Sequence, residues 1–373
     1  MTLGHPRQAL PALLLALVLA LAACGGNGDG ESQDASGAED APDAAAELDG
    51  PITLYDAQWE SLWINNAIVE LILEEGYGYD VEIAEVTTPI MQQSLLQGDV
   101  HVAVEMWCIN YQEWCDEHAE AGDMVYAGTM FSESEQGWYV PRYLIDGDDE
   151  RGIEASAPEL ESVADLPDHA ELFADPDDPG KGLLITGITG WEVTERNEAK
   201  VHAYDLDETY NTQQAGSSAA LDAAITGAYD RGEPVLFYYW APSWIHAELD
   251  LVLLDEPEWS QECQDAIDQA IEGDITQAPE EAACAFAGGD VEKGIWPGLQ
   301  DAAPEAVAFL ERMHVGDDPM NQALAYMELE DVEPAEAALW YFEQYADDWR
   351  GWIEEDDVLE RVEEALRERG AEI

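Results

Sequence analysis

Residues 236–244, which read LFYYWAPSW, decide how the rest of the chain is interpreted. An apolar and aromatic run ends in Trp240, and Ala241-Pro242 then interrupts any regular strand. A short run of this kind predicts a buried strand with Trp240 at its carboxyl end. Ligands bind outside the carboxyl ends of strands in open α/β sheets, so this position is the first candidate for a binding site.

Two further tryptophans occupy comparable positions in the chain. Trp107 closes the apolar run at residues 100–106, and Trp191 follows the turn at residues 187–190. Three indole rings brought to strand ends from distant segments predict an aromatic cage for a quaternary ammonium group. Such a group has no N–H to donate, so π faces and carboxylates attract it, each ring contributing about 0.5–2 kcal/mol. Ordinary packing is the alternative for any single ring among 13 tryptophans, and the cage hypothesis rests on all three together.

The composition describes a folded protein with an acidic surface. The chain has 373 residues, enough for two lobes of ordinary size, and its net charge is -70, from 83 acidic residues against 13 lysines and arginines. No nucleic acid is expected as a partner, because phosphate contacts need a basic face. A hydrophobic fraction of 47% supports a real core rather than disorder. We therefore expect a halophilic protein, whose self-repulsion is screened by high salt.

The N-terminal segment predicts export and lipid anchoring. Residues 1–23 are typical of a signal peptide, because an arginine precedes an apolar run too short to span a membrane comfortably. The small residues directly before Cys24 resemble a bacterial lipobox, which implies cleavage before Cys24 and lipidation of its thiol. A plain signal peptide is the alternative. Residues 24–50 then form a flexible acidic tether at the outer face of the cytoplasmic membrane.

The four remaining cysteines predict two disulfides. Cys108, Cys115, Cys263 and Cys284 are an even number, which favours pairing in an exported protein. Three connectivities are possible, and we choose Cys108–Cys115 and Cys263–Cys284 because each pair closes a local loop. The scattered histidines and the lack of any Cys-x-x-Cys or His-Glu-x-x-His spacing argue against a metal site, and no cofactor is expected.

Hydrophobic patterning predicts alternating strands and helices in two lobes. Strands are predicted at 52–55, 81–86, 100–106, 182–186, 235–240 and 250–254. Helices are predicted at 59–74, 89–96, 191–203, 217–229, 304–313, 319–328, 335–345 and 356–369. The β-α-β-α-β order at the start predicts a sheet of mostly parallel strands. We assign residues 51–143 and 287–373 to a first lobe and residues 144–286 to a second.

Several segments together resemble the substrate-binding proteins of glycine betaine/proline ABC transporters. These are residues 98–107, Gly190-Trp191, residues 215–225 (AGSSAALDAAI) and residues 234–244 (PVLFYYWAPSW). The resemblance extends from about residue 51 to the C-terminus and rests on the order and spacing of the segments. It implies an α/β, periplasmic-binding-protein-like (type II) fold whose two lobes enclose a ligand cleft.

The resemblance also implies a site and partners. By position, the cage tryptophans of the family correspond to Trp107, Trp191 and Trp240. Members of the family hold the ligand carboxylate partly through backbone N–H groups just after the second of these rings, here Glu192 and Val193. Those amides open a predicted helix, and a helix N-terminus attracts anions. The implied function is capture of a quaternary ammonium solute and its delivery to an ABC permease and its ATPase subunits for osmoprotection.

One stretch departs from the family pattern. Better known members carry a Trp-x-Pro turn followed by a histidine that meets the carboxylate, whereas this chain reads Trp107-Cys108-Ile109-Asn110-Tyr111. Tyr111 occupies the place of the histidine and has a hydroxyl to donate. Glu105 alternates onto the same side as Trp107, where it either adds negative charge near the cation or is simply solvated. Glycine betaine, proline betaine, choline, carnitine and ectoine-like solutes all remain open as ligands.

Two other classes of function compete with solute binding. A secreted carbohydrate-active enzyme would use a pair of carboxyl groups, but 83 acidic residues make chance pairs inevitable. The chain has no Gly-x-Ser-x-Gly elbow, P-loop or metal-ligand motif, so we expect no enzymatic activity. A purely adhesive surface protein would show no effect of small molecules on its stability.

Overall fold

The computed structural model describes residue 48 and residues 50–373. The predicted signal peptide and the lipidation of Cys24 lie outside the described residues. No helix within the described part of the chain has the length and apolar character needed to cross a membrane.

The described residues form ten strands and fourteen α-helices. The strands are β1 (Ile52–Asp56), β2 (Val81–Glu85), β3 (Val102–Met106), β4 (Val125–Ser134), β5 (Gln136–Pro141), β6 (Gly182–Ile188), β7 (Tyr210–Ala215), β8 (Leu236–Trp240), β9 (Leu251–Leu253) and β10 (Gly289–Ile295). The helices are α1 (Glu60–Leu71), α2 (Thr88–Gln97), α3 (Gln112–Ala121), α4 (Tyr143–Asp146), α5 (Glu192–Ala203), α6 (Ser218–Arg231), α7 (Trp244–Glu248), α8 (Gln261–Glu272), α9 (Leu299–Ala302), α10 (Pro304–Arg312), α11 (Asp317–Glu330), α12 (Pro334–Gln344), α13 (Ala346–Arg350) and α14 (Asp356–Glu368).

These strands make two five-stranded sheets, one in each lobe. The first sheet has the order β2-β1-β3-β10-β4 and the second the order β7-β6-β8-β5-β9. The α/β two-lobed architecture expected from the sequence is confirmed. Both sheets are mixed, however: β10 runs antiparallel to β3 and β4, and β5 runs antiparallel to β8 and β9. The expectation of mostly parallel strands is confirmed for the first sheet, because β1, β2, β3 and β4 all run in one direction and β10 alone runs against them.

The chain passes between the lobes where two strands follow each other almost directly. β4 belongs to the first sheet and ends at Ser134, while β5 belongs to the second and begins at Gln136. The chain returns to the first sheet as β10, after the loop that Cys263 and Cys284 close. The lobe ranges assigned from the sequence remain predictions, and their boundary after residue 143 follows strand β5.

The C-terminal helices belong to the scaffold of the first lobe. Trp349 is fully buried there, and its Nε1 donates a hydrogen bond to the carbonyl oxygen of Phe342 at 2.8 Å. Trp138, on β5, is equally buried and donates to Oδ1 of Asn197 at 2.5 Å. Ordinary packing, the alternative weighed for single tryptophans, therefore accounts for these two rings.

Candidate ligand-binding site

Four strands of the two sheets deliver a tryptophan at or just beyond their carboxyl ends. Trp59 lies three residues after β1, and Trp107 follows β3 directly. In the other lobe, Trp191 lies three residues after β6, and Trp240 is the last residue of β8. Because β1 runs parallel to β3 and β6 to β8, each pair of rings arrives at one sheet edge. The four indoles line a single cavity where the two edges meet.

This cavity is small and contains all six residues that the sequence predicts as ligand contacts. Its lining consists of Trp59, Thr88, Trp107, Asn110, Tyr111, Trp191, Glu192, Val193, Tyr238 and Trp240. About 40 Å³ is open to the centre of a water-sized sphere. One water molecule needs about 10–15 Å³ on this measure, so the space fits a compact solute and excludes an oligosaccharide.

The ring of Trp191 stands nearly perpendicular to two other tryptophans of the cavity. The ring centroids of Trp191 and Trp240 are 5.0 Å apart with an interplanar angle of 89°. Those of Trp59 and Trp191 are 6.1 Å apart at 80°. Behind them, Tyr239 stacks on Trp240 with centroids 4.4 Å apart. The rings therefore form the walls of a box, an arrangement that surrounds a compact cation with aromatic surface.

Hydrogen bonds hold the ring edges in place. Nε1 of Trp59 donates to Oε2 of Glu105 at 2.7 Å, and Nε1 of Trp107 approaches the same oxygen at 3.4 Å. Nε1 of Trp191, in the second lobe, donates to the carbonyl oxygen of Ala57 in the first lobe at 2.7 Å. The polar edges of three rings are thus satisfied by protein, which leaves their π faces as the groups available to a ligand.

Glu105 is fully buried behind the cavity. Its carboxyl group also accepts hydrogen bonds from Ser61 Oγ at 3.1 Å and from Asn65 Nδ2 at 2.7 Å. Burial raises the pKa of Glu105 to about 7, although the four hydrogen bonds that it accepts favour the charged form. The alternative of a solvated acid is wrong, because every residue of strand β3 is buried. An ionisable carboxyl group therefore lies directly behind the edges of two cavity tryptophans.

The N-terminus of α5 lies at another wall of the cavity. Neither the backbone N–H of Glu192 nor that of Val193 donates a hydrogen bond to another described residue. Such groups at a helix N-terminus attract anions. The side chain of Glu192 is half-buried, and this burial raises its pKa, while the nearby Arg196 lowers it. Burial raises the pKa of Tyr111 above its ordinary value, so its hydroxyl keeps its proton and can act as a donor.

A glycine allows the two lobes to approach beside the cavity. Gly190 has a φ of +100°, and a Cβ atom there would lie 2.6 Å from Cγ2 of Thr87. The backbone N–H of Thr88, at the start of α2, donates to the carbonyl oxygen of Gly190 at 3.1 Å. Glycine is thus required both by the left-handed backbone and by the close contact between lobes. Its position directly before Trp191 ties that contact to the placement of the ring.

Two disulfides stabilise the segments around the site. One joins Cys108 to Cys115 and so links the turn after Trp107 to α3. The other joins Cys263, on α8, to Cys284. These are the two pairs selected from the sequence. Within the described residues, no group of three or more His, Cys, Asp or Glu side chains is placed to hold a metal ion.

Trp59 is a cavity residue that was not predicted from the sequence. Its pattern predicts the first residue of a scaffold helix, whereas Trp59 precedes α1 and lines the cavity. A signal was present, because Trp59 follows a predicted strand after a short polar turn, as Trp191 does. Tyr238 was also missed, although alternation along β8 places it on the same face as Trp240. Thr88 and Asn110 carry no comparable signal, because turn geometry alone brings them to the cavity.

Comparison with known proteins identifies the family of this chain. Residues 50–344 match the family model described as the substrate-binding domain of ABC-type glycine betaine transport systems. The chain belongs to that family. The glycine betaine/proline betaine-binding periplasmic protein of Escherichia coli is a relative, 28% identical over 214 residues. That match covers 55% of this chain and 59% of the relative, so the chain spans about three fifths of the length of the relative.

Solved structures confirm the periplasmic-binding-protein fold of this family member. A glycine betaine/L-proline-binding protein of an ABC transporter from Borrelia burgdorferi has a TM-score of 0.64 at 18% identity, covering 84% of this chain and 99% of that chain. A lactococcal binding protein, complexed with glycine betaine in a closed conformation, has a TM-score of 0.61 at 17% identity, covering 82% and 100% of the two chains. At these identities the likeness concerns the fold alone.

The cavity of this family member does not match the enzyme alternative. Among the described residues that line it, Glu192 is the only one with a carboxyl group. Acid/base hydrolysis of a glycoside uses two carboxyl groups that flank the scissile bond. The family model that the chain matches describes substrate-binding domains of transporters.

Proposed function

We propose that the protein captures glycine betaine or a related compact quaternary ammonium solute and delivers it to an ABC permease. The observation that carries the proposal is the cavity itself, in which four tryptophans meet the free amides of a helix N-terminus. A quaternary ammonium is attracted by aromatic faces and by the buried Glu105 behind them. A carboxylate is attracted by the N-terminus of α5. The two ends of a betaine thus find complementary surroundings within one small space.

A ligand screen in molar salt tests this function. We expect glycine betaine, proline betaine or choline to raise the melting temperature of the mature protein, since a ligand present at a hundred times its Kd adds about 2.7 kcal/mol of stability. Ectoine, carnitine, proline and a disaccharide complete the screen. A shift with the disaccharide and none with any quaternary amine would contradict the proposal and favour the carbohydrate-active enzyme. No shift with any compound would favour the adhesive alternative.

We also propose that the protein works at the outer face of the cytoplasmic membrane, anchored through a lipid on Cys24. The small residues before Cys24 and the tether at residues 24–50 support this proposal. In the native host, Cys24→Ser is expected to move the protein from the detergent-extracted membrane fraction into the soluble extracytoplasmic fraction. An unchanged distribution between the two fractions would contradict lipid anchoring without affecting the ligand.

A further inference from the structure

We propose that the side-chain amide of Asn110 is the residue that selects a carboxylate-bearing ligand in this cavity. The inference rests on the proposed function and deepens it, because it divides the quaternary amines into zwitterionic betaines and the cation choline. Asn110 lines the cavity and is only 6% exposed. Its role follows from which atoms of its amide are already engaged and from what lies next to it.

The orientation of the Asn110 amide is set by two residues of the second sheet. Nε2 of Gln136 donates to Oδ1 of Asn110 at 3.0 Å. The hydroxyl of Tyr238, itself a cavity residue, donates to Oε1 of Gln136 at 2.7 Å. Because of this chain of hydrogen bonds, Oδ1 of Asn110 already accepts a hydrogen bond from the protein. Nδ2 of Asn110 donates to no described residue, so two N–H donors remain for a ligand in a nearly buried site.

Asn110 also lies beside the N-terminus of α5. Nε of Arg196 donates to the backbone carbonyl oxygen of Asn110, and Arg196 stands one helical turn beyond Glu192. The amide of Asn110 and the free amides of Glu192 and Val193 therefore border the same part of the cavity. Arg196 itself is buried and pairs with Asp268, so its guanidinium is engaged by protein.

In the part of the cavity that Asn110, Glu192 and Val193 border, neutral N–H donors rather than a positively charged side chain are available to bind a ligand carboxylate. A ligand carboxylate must be held close to the side chain of Glu192, which repels it whenever this carboxyl group is ionised. Oriented N–H groups from Asn110 and from the helix N-terminus offset this repulsion, because hydrogen bonds to a charged acceptor are about twice as strong as neutral ones. A ligand that lacks the carboxylate gains much less from the same donors. Asn110 thus acts on the ratio of betaine to choline affinity rather than on recognition of the ammonium group.

Titration calorimetry on two variants tests this role. In Asn110→Asp the shape is kept and Gln136 still has an acceptor, but the donor becomes an acceptor with negative charge. We expect the affinity for glycine betaine to fall by about tenfold or more, while that for choline falls by no more than about threefold. Asn110→Ala, which adds no charge, should shift the ratio in the same direction by a smaller factor. Gln112→Glu adds a negative charge nearby on the surface and serves as the matched control, with both affinities unchanged.

The outcomes separate this inference from the proposed function. If the wild-type protein binds none of the betaines or choline, the proposed function is overturned and the inference with it. If the wild-type protein binds glycine betaine and both Asn110 variants keep the wild-type ratio of betaine to choline affinity, the inference alone is overturned. A wild-type protein that binds choline but no betaine also overturns it. A ratio that changes in Asn110→Asp and not in Gln112→Glu supports it.

Discussion

Two regions of the molecule combine tryptophans with carboxyl groups and yet have opposite chemistry. The first is the cavity, with about 40 Å³ open to the centre of a water-sized sphere. The second, which we call the acidic groove, offers about 790 Å³ on the same measure. Its lining consists of Glu60, Trp63, Ala219, Asp222, Ala223, Thr226, Trp244, Met327, Glu328, Asp331, Val332, Glu333 and Pro334. A count of aromatic and acidic residues would not tell the two regions apart.

The acidic groove places carboxyl groups of the two lobes against each other. Glu60, on α1, accepts a hydrogen bond from the Ser218 hydroxyl, and Asp222, on α6, accepts one from the Tyr239 hydroxyl at 2.7 Å. Nε1 of Trp244 also donates to Asp222, at 3.2 Å. Burial raises the pKa of both carboxyl groups, and the charge of Asp222 raises that of Glu60 further. This pair retains a proton where the isolated acids would be charged.

The difference shows that the surroundings of a carboxyl group decide its use. Glu105 is surrounded by four donors, so its charged form is supported and faces the tryptophans of the cavity. Glu60 and Asp222 face each other, so one charge opposes the other. The isolated acid with donors around it suits a site for an organic cation, whereas the acid pair suits a proton-dependent contact between lobes.

The largest effect is expected from the tryptophans of the cavity. Replacement of Trp59, Trp107, Trp191 or Trp240 by alanine should weaken betaine binding by about tenfold or more, because a desolvated ring contributes about 2 kcal/mol to cation binding. Trp63→Ala, in the acidic groove, is the matched control and should leave the affinity nearly unchanged. Calorimetry on the folded variants provides the measurement. If two of the four cavity variants keep the wild-type affinity, the cavity tryptophans do not form the ligand-binding cage that distinguishes this region from the acidic groove.

The next effect concerns Glu105 and pH. A bound cation favours the charged carboxylate, so binding releases a proton below about pH 7, and affinity for choline should rise from pH 6 to pH 8. Glu105→Gln should bind choline about tenfold more weakly at pH 8 and lose this pH dependence. Calorimetry at several pH values measures both. The same pH profile in the wild-type protein and the variant would show that another group titrates.

Tyr111 is expected to have a smaller and ligand-selective effect. If its hydroxyl donates to the carboxylate, Tyr111→Phe removes one hydrogen bond and should weaken glycine betaine by about fivefold, or roughly 1 kcal/mol. Choline, which has no carboxylate, should be nearly unaffected. Parallel titrations with the two ligands make the comparison. Equal losses for both would mean that Tyr111 contributes through shape alone.

The smallest effect should appear in the acidic groove, and in stability rather than in affinity. Because the pKa of Glu60 is raised by folding, its contribution to stability is present at low pH and is lost as the pH rises from the ordinary carboxyl range toward 8. Glu60→Gln should therefore increase the free energy of unfolding by about 1 kcal/mol at pH 8 and by less at pH 5. Glu333→Gln, exposed in the same groove, is the control. Chemical denaturation at both pH values measures the free energy of unfolding. If Glu60→Gln is no more stable than the wild-type protein at pH 8, the prediction is wrong.

Much of this molecule follows from local patterns in the chain. Apolar runs ended by a tryptophan identified the strand ends at Trp107 and Trp240, because strand periodicity and turn residues are read within a few positions. The choice of Cys108–Cys115 rested on sequence proximity in the same way. The amides of Glu192 and Val193 were implied by the family resemblance, and their place at the start of a predicted helix agrees with it, because the first N–H groups of a helix have no partner within the helix.

Only the tertiary structure decided the features that depend on distant partners. Trp59 reads locally as the start of a helix, and it joins the cavity because β1 and β3 are neighbours in one sheet. Glu105 reads as one of many surface acids, and it is buried because α1 supplies Ser61 and Asn65 above it. Burial and hydrogen-bond partners arise from contacts between segments far apart in sequence. The sequence by itself therefore determined three of the four tryptophans and the amides that this protein presents, while long-range packing decided the fourth ring and the acid that stands behind the cavity.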